Sequence, residues 1–378
     1  MKEINLNWKG YFKEKQEEMV HLLESLVNLE SPSQDKKSVD RCSSFLLNEL
    51  NRIGLQTKVH PQVETGDIIT AEYPQEKASE QILLLTHIDT VWPVGTIKKM
   101  PFSIKEDKIF GPGVLDMKAG LVQAVFAIKG LLIKDLLPGK KITLFVNSAE
   151  EIGSESSYRL IKDLAEASSA VFCLEPALPG GGLKLKRKGR LVFEVETRGK
   201  AAHAGTPEKG LNAIEELVLQ LHQLRRIRTK SISLNMGTIQ GGTKANVVAE
   251  QALTVIDIRF WKKIEQDNLL QKFQHIKPIL PGASISFSLK SLTPPMEKNP
   301  ASTSLFNKVK KIASLAGIKI WAGKSGGGSD ASVASQAGAA VLDGLGPEGE
   351  GIHAENEHLL LSSLIERTAL LAEILQKL

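Results

Sequence analysis

Histidine and acidic side chains follow the ends of several apolar segments in this sequence. The segment "ILLLT" leads into His87 and Asp89, and "KITLFVN" is followed closely by the pair Glu150–Glu151. The same pattern recurs with Asp116 after "KIFGPGVL", Glu175 at the end of "SAVFCLE", and His353 after "AAVLDGL" and a glycine-rich loop. Because ligands bind at the carboxyl ends of strands in open α/β sheets, we expect these side chains to share one edge of a sheet.

Taken singly, each of these residues has a structural explanation. A lone histidine at a strand end is usually a hydrogen-bonded structural residue, the pair Glu150–Glu151 could stabilise a helix N-terminus, and Asp116 could cap one. Together, so many carboxylates in one cleft would repel one another. A pair of divalent cations removes that repulsion, and the mixed nitrogen and oxygen ligands suit zinc, with manganese or cobalt as alternatives.

The spacing within the cluster indicates separate tasks for its members. His87 and Asp89 lie two positions apart on a predicted strand and therefore share a face. We expect His87 to bind metal and Asp89 to accept the other ring N–H, which fixes the tautomer. In the pair Glu150–Glu151, one carboxylate would bind metal and its neighbour would take a proton from the attacking water.

The surrounding pattern predicts an α/β protein of two domains, as expected for 378 residues. Strand and helix patterns alternate up to about residue 188, and the apolar strands are typical of a sheet covered on both faces. The next segment shows the order βαββαβ, which is the ferredoxin-like pattern. The α/β rhythm then returns and ends in a helix over 357–377. The sequence thus predicts a discontinuous catalytic domain, 1–188 and 294–378, with an inserted α+β domain, 189–293.

Composition narrows the classes of function. The net charge is only +5 and the densest basic stretch, "LKLKRKGR", has no interleaved aromatic residues, so we expect no nucleic-acid partner. No apolar stretch approaches the length of a membrane span, and the N-terminus shows no apolar core of a signal peptide. The two cysteines, Cys42 and Cys173, cannot build a disulfide framework. We therefore expect a cytoplasmic protein without a membrane partner.

The motifs around these residues resemble those of the M20 metallopeptidases, also called the aminoacylase or carboxypeptidase family. The segments that carry the resemblance are, in order, "THIDTVWP", "GPGVLDMKAG", "NSAEEIGS", "LEPA", "GKAAHAGTPEKGLNAI", "KSGGGSDAS" and "GIHAENEHL". They span residues 86–359 and look closest to the glutamate carboxypeptidase branch. The resemblance implies a zinc-peptidase-like catalytic domain with a mixed sheet, and an inserted ferredoxin-like domain that serves as lid and dimerisation domain.

The resemblance also implies a set of metal ligands. Asp116 would bridge two zinc ions in each chain. His87 and Glu175 would complete one site, and Glu151 and His353 would complete the other. The peptide bond after Asp116 is often cis in such enzymes.

Further roles follow from the same resemblance. Glu150 would be the general base, and Asp89 would hold His87 in place. His203, in the inserted domain, would stabilise the oxyanion of the tetrahedral intermediate, in some members from the partner subunit. The residues that would hold the substrate are Asn246, Arg259, Gly327 and Gly328.

These features predict a two-zinc amidohydrolase that cleaves an amide bond next to a free carboxylate. A carboxypeptidase that releases a C-terminal amino acid from a small peptide is the first choice. An N-acyl amino acid deacylase of the acetylornithine or succinyl-diaminopimelate type is the alternative, and a metal-binding homologue without catalysis is a remote one. Met117 stands where the glutamate-cleaving branch usually has a second acidic residue, so the preferred amino acid is left open.

Overall fold

A computed structural model of the chain describes residues 6–73, 78, 80–137, 139–153 and 155–378. These residues form two compact units. The first unit comprises the chain up to Leu185 together with Lys298–Lys324 and Ser329–Leu378. The second comprises Lys186–Glu297 and Ser325–Gly328.

Helices and strands alternate along most of the described chain. The helices are α1 (Trp8–Glu14), α2 (Gln16–Asn28), α3 (Lys36–Arg52), α4 (Ala119–Ile133), α5 (Tyr158–Glu166), α6 (Ala213–Leu224), α7 (Lys263–Gln274), α8 (Pro300–Leu315), α9 (Asp330–Ser335) and α10 (Leu361–Lys377). The strands are β1 (Gln56–His60), β2 (Ile68–Glu72), β3 (Gln81–His87), β4 (Ser103–Lys105), β5 (Lys108–Phe110), β6 (Lys141–Asn147), β7 (Ala170–Cys173), β8 (Gly182–Arg187), β9 (Gly189–Arg198), β10 (Ser233–Gly241), β11 (Gln251–Phe260), β12 (Ser284–Thr293), β13 (Trp321–Ser325), β14 (Val341–Asp343), β15 (Gly349–Glu350) and β16 (His358–Leu360).

The first unit is built on a mixed sheet with the strand order β1-β2-β6-β3-β7-β14-β8-β13. Its centre is parallel, because β3 pairs with β6 and β7, and β14 pairs with β7. The strands β1 and β2 extend one side in antiparallel orientation. All residues of β3 are buried, as expected for a strand in the middle of a sheet that is covered on both faces.

Helix α4 is the most buried of the helices near the centre of this sheet. Its first ten residues are apolar or small apart from Gln123, and its side chains join a core that also includes residues of α2 and α10. Lys118, just before the helix, is buried as well, and its Nζ donates to the carbonyl oxygen of Leu26 at 2.7 Å. This bond gives the buried amine a partner and ties the start of α4 to helix α2.

A smaller sheet of the first unit has the order β15-β16-β5-β4 and carries a loop, residues 351–357, whose residues 352–356 are exposed. The sequence predicted that the last helix would begin at residue 357, but α10 begins at Leu361. The difference arises because His358–Leu360 pair with β5 as a strand, which uses their backbone groups in a ladder before the helix starts.

The second unit is an antiparallel sheet of four strands in the order β10-β11-β9-β12, with helices α6 and α7. Along the chain these elements follow as βαββαβ, which is the predicted ferredoxin-like pattern. Residues of β9 alternate between buried and partly exposed, and the buried ones pack on the helices, as in the stacked pair Phe193 and Phe273 with ring centroids 4.4 Å apart. The predicted fold class is therefore confirmed.

Candidate metal centre

The central parallel strands bring their carboxyl ends to one edge of the main sheet. His87 is the last residue of β3 and pairs with Asn147, the last residue of β6. Glu150 and Glu151 lie in the turn that follows β6. On the other side of β3, β7 is followed within two residues by Glu175. The register of the sheet therefore brings these side chains to the same edge.

Asp116 lies between two pairs of side chains, and each of its carboxylate oxygens faces a different pair. Its Oδ1 is 3.3 Å from His87 Nε2, and that nitrogen is 3.7 Å from Glu175 Oε1. Its Oδ2 is 3.3 Å from His353 Nε2, which is 3.2 Å from Glu151 Oε2. The peptide bond between Asp116 and the next residue is cis, as the family resemblance implies. The structure thus brings together the five residues predicted as ligands.

The position of His87 shows that this pocket suits a cation. His87 is only 1% exposed, and its Nδ1 donates to a backbone carbonyl at 3.0 Å, so the neutral ring keeps its lone pair on Nε2. Among the described residues that Nε2 has no hydrogen-bond partner. His87 belongs to two groups of possible metal ligands. The ligand atoms of His87, Glu150 and Glu175 lie within 4.8 Å of one another, and so do those of His87, Asp116 and Glu151. A buried lone pair facing several carboxylates fits a divalent cation bound between them.

The pKa shifts in the pocket indicate a shortage of positive charge. Hydrogen bonds to carboxylates raise the pKa of His353 to about 10. Burial opposes the charged form of His87, but a protonated ring would interact with the carboxylates of Asp116 and Asp89, and these interactions outweigh burial and raise the pKa of His87 well above its ordinary value. Burial raises the pKa of Glu151 to about 7 and the pKa of Glu150 well above its ordinary value. These four shifts favour an added proton, and a bound cation would take the place of those protons.

Asp89 fixes the turn that carries the glutamate pair. Its side chain is fully buried, and its Oδ1 and Oδ2 accept the backbone N–H groups of Glu150 and Glu151 at 3.1 and 3.2 Å. Ser33 Oγ donates to the same Oδ2 at 2.6 Å. The carboxylate Oδ1 is 3.5 Å from His87 Nδ1, which bonds the closer backbone carbonyl of Asp89. The sequence predicted that Asp89 accepts the ring N–H of His87, and in the structure its backbone carbonyl does so, while its carboxylate anchors the glutamates.

Asn147 and Asp330 form a second anchor of this turn, which sequence reasoning missed. Asn147 Oδ1 accepts the backbone N–H groups of Ser148 and Ala149 at 2.8 and 3.3 Å. Its Nδ2 donates to Asp330 Oδ2 at 2.7 Å. Burial raises the pKa of Asp330 to about 7. The available signal was an asparagine at the end of a strand whose other buried residues, apart from Thr143, are apolar.

A second missed residue, Glu357, lies in the loop that also carries His353. The side chain is 1% exposed although its sequence context, "HAENEH", is typical of a solvated loop. Its carboxylate accepts hydrogen bonds from the backbone around Asp116. Because the segment is rich in charged and polar residues, its sequence gave no indication that the side chain of Glu357 is buried.

In the second unit, His203 and Asn246 lie side by side. His203 forms an antiparallel bridge with Val247, and the N–H of Ala204 donates to the carbonyl oxygen of Asn246 at 3.0 Å. The Nδ1 of His203 accepts the N–H of Gly205 at 3.0 Å, so the neutral ring carries its proton on Nε2. Both predicted residues are exposed. His203 therefore presents an N–H donor at the surface of its unit.

The other predicted substrate residues of this unit are held by their neighbours. Arg259 donates to Asp257 through Nε at 2.7 Å and Nη2 at 3.1 Å. Arg187 Nη1 donates to the carbonyl oxygens of Gly327 and Gly328 at 3.2 and 2.7 Å. The N–H of Gly327 donates to a serine hydroxyl at 3.2 Å. These bonds orient the guanidinium and fix the glycine loop.

A mixed α/β sheet with histidines and carboxylates collected in one pocket at the carboxyl ends of its central strands is the arrangement of a metallohydrolase. The sequence profile of peptidase family M20/M25/M40 matches residues 83–377, a range that includes both histidines and all the carboxylates around Asp116. The chain belongs to this family. The expectation of a metallopeptidase or amidohydrolase is thereby confirmed.

Individual relatives agree with this membership. Carboxypeptidase G2 from Pseudomonas sp. (strain RS-16) is 28% identical over 381 residues, which cover 97% of this chain and 90% of the relative. A probable succinyl-diaminopimelate desuccinylase from Staphylococcus aureus (strain MRSA252) is 24% identical and covers 79% of this chain and 81% of its own length. The crystal structure of aminopeptidase PepT from Bacillus cereus matches with a TM-score of 0.75 at 22% identity, covering 96% of this chain and 98% of that one. The last comparison supports the fold alone.

No helix in the described part of the chain is long and apolar enough to cross a membrane.

Proposed function

We propose that this protein is a two-zinc carboxypeptidase, which cleaves the amide bond next to a free carboxylate and releases a C-terminal amino acid from a small peptide. The observation that carries the proposal is the position of Asp116, whose two oxygens face two separate histidine–glutamate pairs. The likeness to carboxypeptidase G2 along 97% of this chain supports the choice of reaction.

The proposed metal ligands follow from this arrangement. Two zinc ions would share Asp116, one held with His87 and Glu175 and the other with Glu151 and His353. The mixed nitrogen and oxygen ligands suit zinc, and Co²⁺ or Mn²⁺ would also fit. When bound, the ions would polarise the substrate carbonyl and make water a stronger acid.

Glu150 is the proposed general base. The backbone N–H of Glu150 donates to Asp89, which fixes its position. The Glu150 carboxylate forms a group with His87 and Glu175 in which the possible ligand atoms lie within 4.8 Å of one another. From this position Glu150 would take a proton from the attacking water and pass it to the nitrogen of the leaving amine. Burial raises the pKa of Glu150 above its ordinary value, and a raised pKa suits a carboxyl group that both accepts and returns a proton.

The second unit would supply the remaining contacts to the substrate. We assign the catalytic domain to 1–188 and 294–378 and a lid to 189–293, through which the chain would form a homodimer. His203 would donate its Nε2 N–H to the oxyanion, from its own subunit or from the partner. The proposed carboxylate-binding groups are the side chains of Asn246 and Arg259 and the backbone N–H groups of Gly327 and Gly328.

A second candidate function uses the same chemistry on a different substrate. An N-acyl amino acid deacylase would place the acyl group where the carboxypeptidase places the rest of the peptide. The likeness to a probable succinyl-diaminopimelate desuccinylase over 79% of this chain favours this alternative. A panel of dipeptides and N-acyl amino acids, assayed by amine release with added zinc, separates the two functions.

The glutamate pair provides the test of the mechanism. Glu150→Gln should lower kcat by about 10²–10⁴-fold or more while leaving the metal content unchanged, because a base is lost but no ligand is. Glu151→Gln should instead lower metal occupancy. Elemental analysis should find two ions per wild-type chain, and one ion or none would contradict the proposal. Exchanged results for the two variants would mean that the two glutamates have the opposite roles.

The two cysteines indicate the cellular compartment in which we propose that the protein works. Cys42 and Cys173 are both buried thiols. Buried thiols persist most readily in a reducing compartment, and we therefore place the protein in the cytoplasm.

A further inference from the structure

Glu357 accepts hydrogen bonds from separate segments of the first unit. Its Oε1 accepts the backbone N–H groups of Leu115 and Asp116 at 3.0 and 3.1 Å. Its Oε2 accepts the backbone N–H of Gly113 at 3.0 Å and the indole N–H of Trp92 at 2.8 Å. Both oxygens of this buried side chain are therefore used twice, and all the donors come from parts of the chain that precede it by more than 200 residues.

The segments that Glu357 joins are those that carry the proposed metal ligands. One donor is the amide of Asp116 itself. Trp92 follows the strand end that bears His87, and Glu357 lies in the same seven-residue loop as His353, residues 351–357. The carboxylate thus lies at the junction of three segments, which together supply ligands to both proposed zinc sites.

We propose that Glu357 is a positioning residue of the metal centre, which holds the Asp116 segment and the His353 loop in register for binding both ions. The inference rests on the proposed function, because it assumes that the pocket around Asp116 binds metal. Outer partners of metal ligands fix the orientation of those ligands, and their loss typically weakens metal binding by about 10- to 100-fold.

The hydrogen-bond geometry requires a carboxylate at position 357. An ionised carboxylate accepts at both oxygens, whereas a glutamine accepts at one end and donates at the other. Whichever way a glutamine is turned, its NH₂ faces two N–H donors, either those of Leu115 and Asp116 or those of Gly113 and Trp92. Glu357→Gln therefore keeps the size of the side chain but breaks one side of the junction.

The experiment measures zinc affinity of the full chain, after metal removal, by competition with a chromophoric chelator. Glu357→Gln should weaken zinc binding by about 10- to 100-fold. The matched control is Glu30→Gln, since Glu30 accepts the backbone N–H groups of Gly95 and Ile97, both at 2.9 Å, but none from the Asp116 segment, and it does not lie in the His353 loop. We expect this control to lose stability in urea and to keep the zinc affinity of the wild type.

The outcomes separate this inference from the proposed function. If the wild-type protein binds zinc and Glu357→Gln binds it with the same affinity, the positioning role is refuted but the metal site is not. A wild-type protein that binds no zinc would overturn both. If Glu357→Gln fails to fold, Trp92→Phe decides, because it removes a single donor from Oε2. A measurable loss of zinc affinity in Trp92→Phe would support the role, and an unchanged affinity would refute it.

Discussion

The substitution Asp89→Asn tests the anchor of the glutamate turn, and it changes only one atom of a fully buried side chain. In the native protein the two carboxylate oxygens accept three hydrogen bonds, from the amides of Glu150 and Glu151 and from the hydroxyl of Ser33. An asparagine must point its NH₂ at one of these positions. The least costly orientation places it at Oδ2, where Ser33 can rotate to accept but the N–H of Glu151 loses its acceptor.

The size of the effect follows from these bonds. A buried donor without a partner costs about 1–3 kcal/mol, and hydrogen bonds to an ionised group contribute about 1.5–3 kcal/mol each, so the remaining bonds also weaken. We therefore expect Asp89→Asn to lower the free energy of unfolding by about 2–4 kcal/mol. Because the same amides position the proposed base, a displacement of the turn by about 1 Å would lower kcat about 100-fold.

The assay combines urea unfolding of the metal-free protein with amide hydrolysis by the zinc-loaded protein. Ser33→Ala removes one donor and leaves both amide bonds intact, so its losses should be smaller in both measurements. Glu216→Gln is the matched control, because Glu216 is a fully buried carboxylate of the second unit that accepts the amides of Ile279 and Leu280. It should lose stability but keep its zinc content. Wild-type stability and kcat in Asp89→Asn would refute the reasoning.

Three further predictions concern other parts of the molecule. His203→Ala should keep its zinc but lose about two to three orders of magnitude in kcat, since an oxyanion donor contributes about 3–4 kcal/mol. A near-normal kcat would contradict that role, and activity restored by mixing His203→Ala with Glu150→Gln chains would show that His203 acts across subunits. Chelation should lower the melting temperature and zinc should restore it, because a ligand at 100 times its dissociation constant adds about 2.7 kcal/mol; identical calorimetric traces would count against a bound metal. Gly346→Ala should weaken zinc binding and lower stability, because a Cβ there would lie 2.7 Å from the carbonyl oxygen of Glu175, whereas Gly139→Ala, with nothing within 4 Å, should do neither in the same titrations.

The sequence was most informative where a local pattern is enough. Alternating apolar segments indicated the sheet, and the βαββαβ order of the second unit is directly legible from its periodicity. His87 and Glu175 could be expected to meet because parallel strands end at a common edge. Asp116 and His353 follow strands of the smaller antiparallel sheet instead, and the structure brings them into contact with the same pocket. Their roles as ligands stay a prediction until metal is measured.

The residues that support this site were harder to find, because their partners are remote in sequence. Ser33 and Asp89 are 56 positions apart, and Asn147 and Asp330 are 183 apart. Glu357 lies in a charged segment that is typical of solvated loops, and only the folded chain shows that the side chain is buried. Helix α10 was predicted four residues too early for the same reason, since the pairing of β16 with β5 depends on a strand more than 240 positions upstream.

The position of β14 in the main sheet has a consequence for how the protein is made. β7 pairs with β3 on one side, and its other side pairs with β14, which is encoded far downstream at Val341–Asp343. During synthesis at about 5–20 residues per second, the edge of β7 stays open for about ten to thirty seconds while the second unit is translated. All four residues of β7 are apolar and become buried, so this open edge is a template for aggregation between nascent chains. The yield of recombinant protein should therefore depend on chaperone supply and growth temperature, even when the finished protein is stable.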